Sequence, residues 1–360
     1  MATLQRPSST TQITPQGPEL STLWTRLLTL PDRLPLSAAR PSRSTTLPGA
    51  FRLPDLLYNS IRDLVRRGDL NGAHQAVEPA LQKFGSGDNS AHAWLLRLAW
   101  ADLLRLRGHT DEALEYLASA ERYCPPNKDD VPSVAGLKKT RGYCFGHLGD
   151  YSSSHALMRE AENLAKGAGL LELQCEIHQC QAMIFYLQRD YDSSERLFRL
   201  ILENSEKVGG WYFRANGLWG IGKNLMIRNR FSEAMPWLEE SLSIFQAAGA
   251  RVPVAIVCSE LAVCYLGLGD DEKSLELLEN ASAVQKNAGS VQNCLVVLAN
   301  IGNVYLHRRD HLRAIEYYRE ALELARKIKD PVSIQKWSFN LKLAYARLQE
   351  SVDHLSASTA

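Results

Sequence analysis

The feature that most constrains this chain is a period of 40 residues repeated seven times. The segments RRGDLNGA, RLRGHTDEA, HLGDYSSS, LQRDYDSS, IRNRFSEA, GLGDDEKS and HRRDHLRA align on Gly68, Gly108, Gly149, Arg189, Asn229, Gly269 and Arg309. These anchors lie 40 apart, with a single step of 41. Five positions after each anchor stands a small residue: Ala73, Ala113, Ser154, Ser194, Ala234, Ser274 and Ala314. Seven positions before stand Ile61, Ala101, Gly142, Ala182, Gly222, Ala262 and Gly302, small in all but the first. Apolar residues between these positions recur at helical spacing and change phase at the anchor, so each unit reads as helix, tight turn, helix. Glycines at Gly169, Gly209, Gly249 and Gly289, again 40 apart, end the second helices, because glycine takes the left-handed conformation of a helix stop at little cost. Pro331 ends the last pair.

Two helices that touch closely need this alternation. In NIGNVYLHRRDHLRAIEYYREALEL, Gly302, Ala314 and Ala321 let backbones approach while Tyr305, Tyr317, Tyr318 and Leu322 fill the space beside them. A single helix pair cannot bury its apolar face, so such units stack and share one continuous core. The expected fold is all-α: seven helix pairs and a final unpaired helix (SIQKWSFNLKLAYARLQE).

The pattern resembles the tetratricopeptide repeat, whose small-Gly-Asp-Tyr-small signature is clearest at Gly302, Asp310, Ala314, Tyr317 and Ala321. The resemblance covers residues 53 to 349 and departs from the family in three ways. Ile61 stands where a small residue belongs, as a capping repeat would have it, and Arg189, Asn229 and Arg309 replace the turn glycine. The unit also exceeds the usual 34 residues. Long units of this kind occur in kinesin light chains, LGN-type adaptors, bacterial peptide-pheromone receptors, MalT-like regulators and CHAT-protease proteins. The resemblance implies a right-handed superhelical solenoid in which the first helix of each pair lines a concave groove.

Carried onto this chain, three inward rows follow from the resemblance. One is Arg62, Asp102, Tyr143, Met183, Lys223, Val263 and Asn303; another is Tyr58, Leu98, Lys139, Gln179, Trp219, Ser259 and Ala299. The third is Val65, Arg105, Gly146, Tyr186, Met226, Leu266 and Leu306, and Asn340 of the last helix shares a repeat position with Asn300. The expected site therefore has an apolar centre at Met183, Tyr186, Trp219 and Met226 that takes hydrophobic side chains of a peptide. Arg62, Lys139, Lys223, Asn300, Asn303 and Asn340 would hold its carboxylate or backbone. In a tightly wound superhelix the same aromatics equally serve to pack one repeat on the next. Lys139 and Asn303 occupy positions like those of a carboxylate clamp but lie far apart in the array.

Charge and composition bound the function. Net charge is +1, which gives no electrostatic footprint for nucleic acid. No apolar run reaches the roughly 18 to 20 residues that span a bilayer. Seven scattered cysteines without a CxxC pair read as reduced thiols in a cytoplasmic protein. Phosphate-binding, zinc-protease and serine-hydrolase motifs are missing, so no cofactor and no enzymatic activity are expected. Cys175, His178 and Cys180 suggest a metal site, but on one helix Cys180 points away from the other two, and core packing is the reading.

The domain reading has three parts: a disordered Ser/Thr/Pro-rich tail at 1–50, the repeat domain at 51–350 and a disordered tail at 351–360. The first tail carries five arginines against Glu19 and Asp32; an organelle transit peptide is the alternative for it. Its segment LWTRLLTLPDRL has an apolar stripe, so residues 20–34 are a candidate for self-binding in the groove. The function expected is a non-enzymatic scaffold or adaptor for a protein or peptide partner. The alternative is a sensor for a small molecule or short signalling peptide, or a regulatory component of a larger assembly.

Overall fold

The computed structural model describes residues 53–84, 90–288 and 291–359, all within one unit of the chain, Thr46–Ala360. The tail at 1–50, with its proposed self-binding segment, lies outside the described residues. Fifteen helices are described, and no strand occurs among the described residues. They form seven antiparallel pairs: α1 (Leu53–Arg67) with α2 (Leu70–Phe84), α3 (Ala91–Leu106) with α4 (Thr110–Tyr123), α5 (Val131–His147) with α6 (Tyr151–Gly167), and α7 (Leu171–Leu187) with α8 (Tyr191–Val208). Then follow α9 (Tyr212–Ile227) with α10 (Phe231–Ala247), α11 (Arg251–Gly267) with α12 (Asp271–Ala288), and α13 (Val291–His307) with α14 (His311–Lys327). A final helix, α15 (Pro331–Thr359), closes the array. The chain is thus the expected right-handed tetratricopeptide-like solenoid. The last helix continues to Thr359, through the segment expected to be a disordered tail from 351.

Each anchor residue does one physical job. Gly68, Gly108, Gly149 and Gly269 have φ between +82° and +90°, and Arg189, Asn229 and Arg309 adopt the same left-handed conformation at +65°, +59° and +61°. That residue reverses the chain, and where an aspartate follows it, its side chain caps the next helix. Asp150, Asp190, Asp270 and Asp310 accept backbone N–H bonds from Ser153, Ser193, Lys273 and Arg313 at 3.0–3.2 Å. The recurrent Gly-Asp pair is therefore a stop and a start in two adjacent residues.

The small residues are the contact points within each pair. Ala73, Ala113, Ser154, Ser194, Ala234, Ser274 and Ala314 are all fully buried. A Cβ built at Gly302 would press 2.9 Å from the Tyr318 ring, so the glycine is the seat of that aromatic. Tyr318 in turn donates from its hydroxyl to Asn303 Oδ1 at 2.6 Å. Ile61, the exception to the small row, is fully buried beside Leu70, Ala73 and Val77 in the core of the first pair.

The superhelix is wound tightly enough for distant pairs to meet. Arg67 Nη1 donates to the Ala248 carbonyl, 181 residues away, at 2.8 Å, and Gly68 sits so close to Val252 that a Cβ would overlap it. Gly108 meets Ile328, and Lys329 Nζ lies 3.3 Å from Asp111 Oδ2, 218 residues away. With a unit of 40, these separations correspond to about four and a half and five and a half pairs, so one superhelical turn takes about five pairs.

The three non-glycine anchors store strain that glycine would release, on the order of 1 kcal/mol each. Replacing Arg309→Gly is expected to raise thermal stability by roughly 0.5–1 kcal/mol, the strain relief less the greater flexibility of glycine in the unfolded chain. Arg308→Gly, one residue earlier, should lower it. Paired melting curves check both; equal melting temperatures for the two variants would remove the strain argument.

Candidate binding groove

The inner face of the solenoid encloses a cavity of about 760 Å³. It is walled by the first helices of pairs one to six, with α1 lying across from α7, α9 and α11, and its far edge reaches Asn293 on α13. The three inward rows predicted from the sequence supply much of this wall: Tyr58, Arg62, Val65, Leu98, Asp102, Arg105, Lys139, Tyr143, Gln179, Met183 and Trp219.

The centre of the wall is an ion-pair network across the superhelical turn. Arg62 Nη2 lies 2.8 Å from Glu172 Oε1, and Arg66 Nη2 lies 3.0 and 3.1 Å from Glu172 and Glu176. Lys139 Nζ donates to Glu176 Oε2 at 2.8 Å. Arg66 also sits over the Tyr212 and Phe213 rings, 4.5 and 5.2 Å from their centroids. Pairing depends on helical periodicity: Arg62 and Arg66 are one turn apart on α1, as Glu172 and Glu176 are on α7, so two short stripes face each other.

Burial works against both charges of the Lys139–Glu176 pair, and the neighbours outweigh it. Burial alone would raise the Glu176 pKa, yet Lys139, Arg62 and Arg66 bring it down to about 2. Burial would lower that of Lys139, but Glu176 and Asp102 hold its ammonium above the ordinary lysine value. Cys180, also on this wall, is pushed by burial up to about 12 and His147 down to about 3, so this thiol and this imidazole stay neutral at physiological pH. All seven cysteines are free, and among the described residues no three His, Cys, Asp or Glu groups are arranged to hold a metal. His178 lies 3.2 Å from Glu162 Oε1, while Cys180 faces the cavity, which separates the one metal-like cluster of the sequence.

All the sequence-derived site residues but Met226 fall into three groups. Arg62, Lys139, Met183 and Trp219 line the cavity. Tyr186 and Lys223 form a cluster with Trp219: the Lys223 ammonium lies 4.9 and 5.1 Å from the two ring centroids and 2.5 Å from Glu260 Oε1. Asn300, Asn303 and Asn340 come together farther along, where Asn340 Nδ2 donates to Asn303 Oδ1 at 3.3 Å and Asn303 Nδ2 lies 3.4 Å from Asn300 Oδ1. Met226, at 5% exposure, is packed between helices. The lysines and Arg62, expected to await a ligand carboxylate, already hold carboxylates of the chain itself.

Sequence reasoning missed Phe339 and Leu343. They are 67% and 38% exposed on α15, and Val296 on α13 is 37% exposed. Continuing the register one unit finds them: Phe339 follows Trp219, Ser259 and Ala299, and Leu343 follows Lys223, Val263 and Asn303. Val296 follows Glu176, Asn216 and Ile256, which line the cavity. By register, these three side chains continue the inner face beyond the cavity, on the two helices that carry the three asparagines.

Residues 254–327 match the family model of the tetratricopeptide repeat. BBSome complex member BBS4 of Bos taurus is 24% identical over 176 residues, covering 49% of this chain and 29% of that protein. The mitochondrial tetratricopeptide repeat protein 19 of Homo sapiens is 26% identical over 151 residues, covering 41% of this chain and 40% of that protein. The chain thus spans well under half the length of these two relatives. Among solved structures, a Rap protein complexed with competence and sporulation factor superposes with a TM-score of 0.56 at 16% identity, covering 84% of this chain and 86% of that one. A signal transduction ATPase with a tetratricopeptide repeat sensor, from Pyrococcus horikoshii, gives 0.52 at 14% identity over 85% of this chain and 50% of its own. Residues 254–327 thus match the tetratricopeptide repeat, within an array of seven long helix pairs and a closing helix that has the tetratricopeptide-like fold class. That class is generally an interaction scaffold.

The network makes a pH prediction. The depressed Glu176 pKa contributes stability above the ordinary carboxylate value near 4.5, and this is lost as pH falls toward about 2. Glu176→Gln should be less stable than the natural chain at pH 7, by roughly 3 kcal/mol, because it leaves the buried Lys139 ammonium without its carboxylate. That gap should narrow as pH falls from 4.5 toward about 2. A gap constant with pH in parallel denaturation series would show that Glu176 is not held ionised by these cations.

Proposed function

We propose that this chain is a non-enzymatic adaptor that holds a peptide segment of a partner protein along the open part of its inner face. The occupied stretch runs from the Trp219–Lys223–Tyr186 cluster to Val296, Phe339 and Leu343. The observation that carries this reading is the exposure of those last three apolar side chains at register positions that elsewhere line the cavity. Large apolar residues left open on a concave face, next to amide groups, are what a bound peptide covers. Asn300 and Asn340 flank the patch and offer amides that can pair with a peptide backbone. A Rap protein of the same fold has been seen in complex with a factor, which supports an inner face of this kind as a place for a ligand. The partner takes its place on the enclosed groove's open continuation, where no ion pair across the superhelix has to break.

Burying one large apolar side chain contributes roughly 1.5–3 kcal/mol. Phe339→Ala with Leu343→Ala should therefore weaken capture of the partner at least tenfold while helical circular dichroism stays unchanged. A photocrosslinking residue at position 339 should capture the same protein, and one at Tyr123, exposed on α4, should not. Equal capture from both positions, or undiminished binding by the double variant, would move the interface off the inner face.

A further inference from the structure

The charges facing the enclosed cavity do not balance. Arg62, Arg66, Arg105 and Lys139 stand against Asp102, Glu172 and Glu176, an excess of one positive charge. The excess has a location. Arg62, Arg66 and Lys139 each reach a glutamate oxygen at 3.0 Å or less. The nearest carboxylate oxygen to Arg105, Asp102 Oδ1, lies 3.6 Å from Nε, which is too long for a hydrogen bond. That Nε is buried without a partner, and the Arg105 side chain is only 12% exposed. Its guanidinium sits 4.4 Å from the Tyr143 ring centroid, so the ring supports it while Nε stays unfilled. A buried guanidinium N–H without a hydrogen bond is costly, roughly 1–3 kcal/mol, and such groups mark places where a ligand completes the set.

The shape and the remaining wall narrow the ligand. About 760 Å³ falls within the roughly 300–1,000 Å³ range of small-molecule sites. Much of the lining is apolar, including Leu98, Ala99, Met183, Ile256 and Trp219. One unit of excess charge suits one negative charge; a dianion would also meet Asp102 and Glu176. The carboxylate is the planar acceptor that matches a guanidinium's paired donors.

We propose that the enclosed cavity binds a small amphipathic monocarboxylate, its carboxylate taking the free donors of Arg105 and its apolar body lying along Leu98, Ala99, Met183 and Trp219. This site adjoins the open stretch at Trp219 and does not include Phe339. A free organic acid and the C-terminal carboxylate of a short peptide present the same chemistry, and the two are distinguished by experiment.

Isothermal titration of the full chain uses decanoate, decanol, and the tripeptide Leu-Leu-Phe with a free or an amidated C-terminus. Decanoate should bind at least ten times more tightly than decanol. Arg105→Gln should remove that preference, and Arg105→Lys should restore part of it. Ala99→Phe leaves every charge in place and fills the cavity, so it should lose decanoate binding even if the Arg105 variants fold poorly. Phe339→Ala should leave decanoate affinity unchanged, so failure here and failure of the adaptor reading are separate results. Tighter binding of the free tripeptide than of both decanoate and its amidated form would identify a chain terminus as the source; binding of decanoate alone would identify a free acid. Equal affinities for decanoate and decanol, unaltered decanoate binding by Arg105→Gln, or no decanoate binding at millimolar concentration would each overturn the proposal.

Discussion

The contact between α1 and α7 decides what kind of solenoid this is. An array of helix pairs with open inner faces is a spring, with each pair touching only its neighbours. Here Arg62 and Arg66 reach across the turn to Glu172 and Glu176, and Arg67 reaches the end of α10 at Ala248. These contacts convert part of an open groove into an enclosed cavity. Buried ion pairs of this type add little net stability, because desolvation offsets most of the attraction. Their effect is on geometry: a carboxylate that must meet three cations has few acceptable positions, so the network fixes the pitch of the turn. Gly68 beside Val252 sets the distance of approach at the same place, since any side chain there would hold the turns apart.

The repeat was legible in the sequence because it rests on local rules. A left-handed anchor, an aspartate cap and two small contact residues all act within about 15 residues, and each leaves a mark at fixed spacing. The substitutes Arg189, Asn229 and Arg309 were recognisable only by phase, and the structure shows them in the conformation that phase required. The inward rows were legible for the same reason, because helical periodicity fixes which face a position takes once the pairing is known. The last helix, packed through Trp337 and Ala344, continues to Thr359, past the start of the tail expected from 351.

What the sequence concealed depends on the superhelix. Nothing near Arg62 announces Glu172, 110 residues away, since the pairing exists only after about three more pairs have stacked. Cations read as waiting for a partner were for that reason already satisfied. Met226 shows the same limit from the apolar side, because the row that faces the cavity at Arg105 turns into packing at 5% exposure by the fifth pair. Phe339 and Leu343 differ: their register was present in the sequence, one unit beyond Ala299 and Asn303 and beside Asn340, which the same register had already placed.

The two parts of the inner face have opposite electrostatic characters, and this bears on how they could influence each other. Within the enclosed part, helix contacts and ion pairs are shared between α1 and α7, so a ligand there touches both sides of the superhelical turn at once. In the open part, α13 and α15 meet through Tyr318, Asn303 and Asn340, hydrogen bonds between neutral groups that carry no long-range field. The turn of the second pair and the start of α15 are joined directly, through Gly108 against Ile328 and Asp111 with Lys329. A shift in pitch at the Arg62–Glu172 contact would therefore move the base of the helix that carries Phe339.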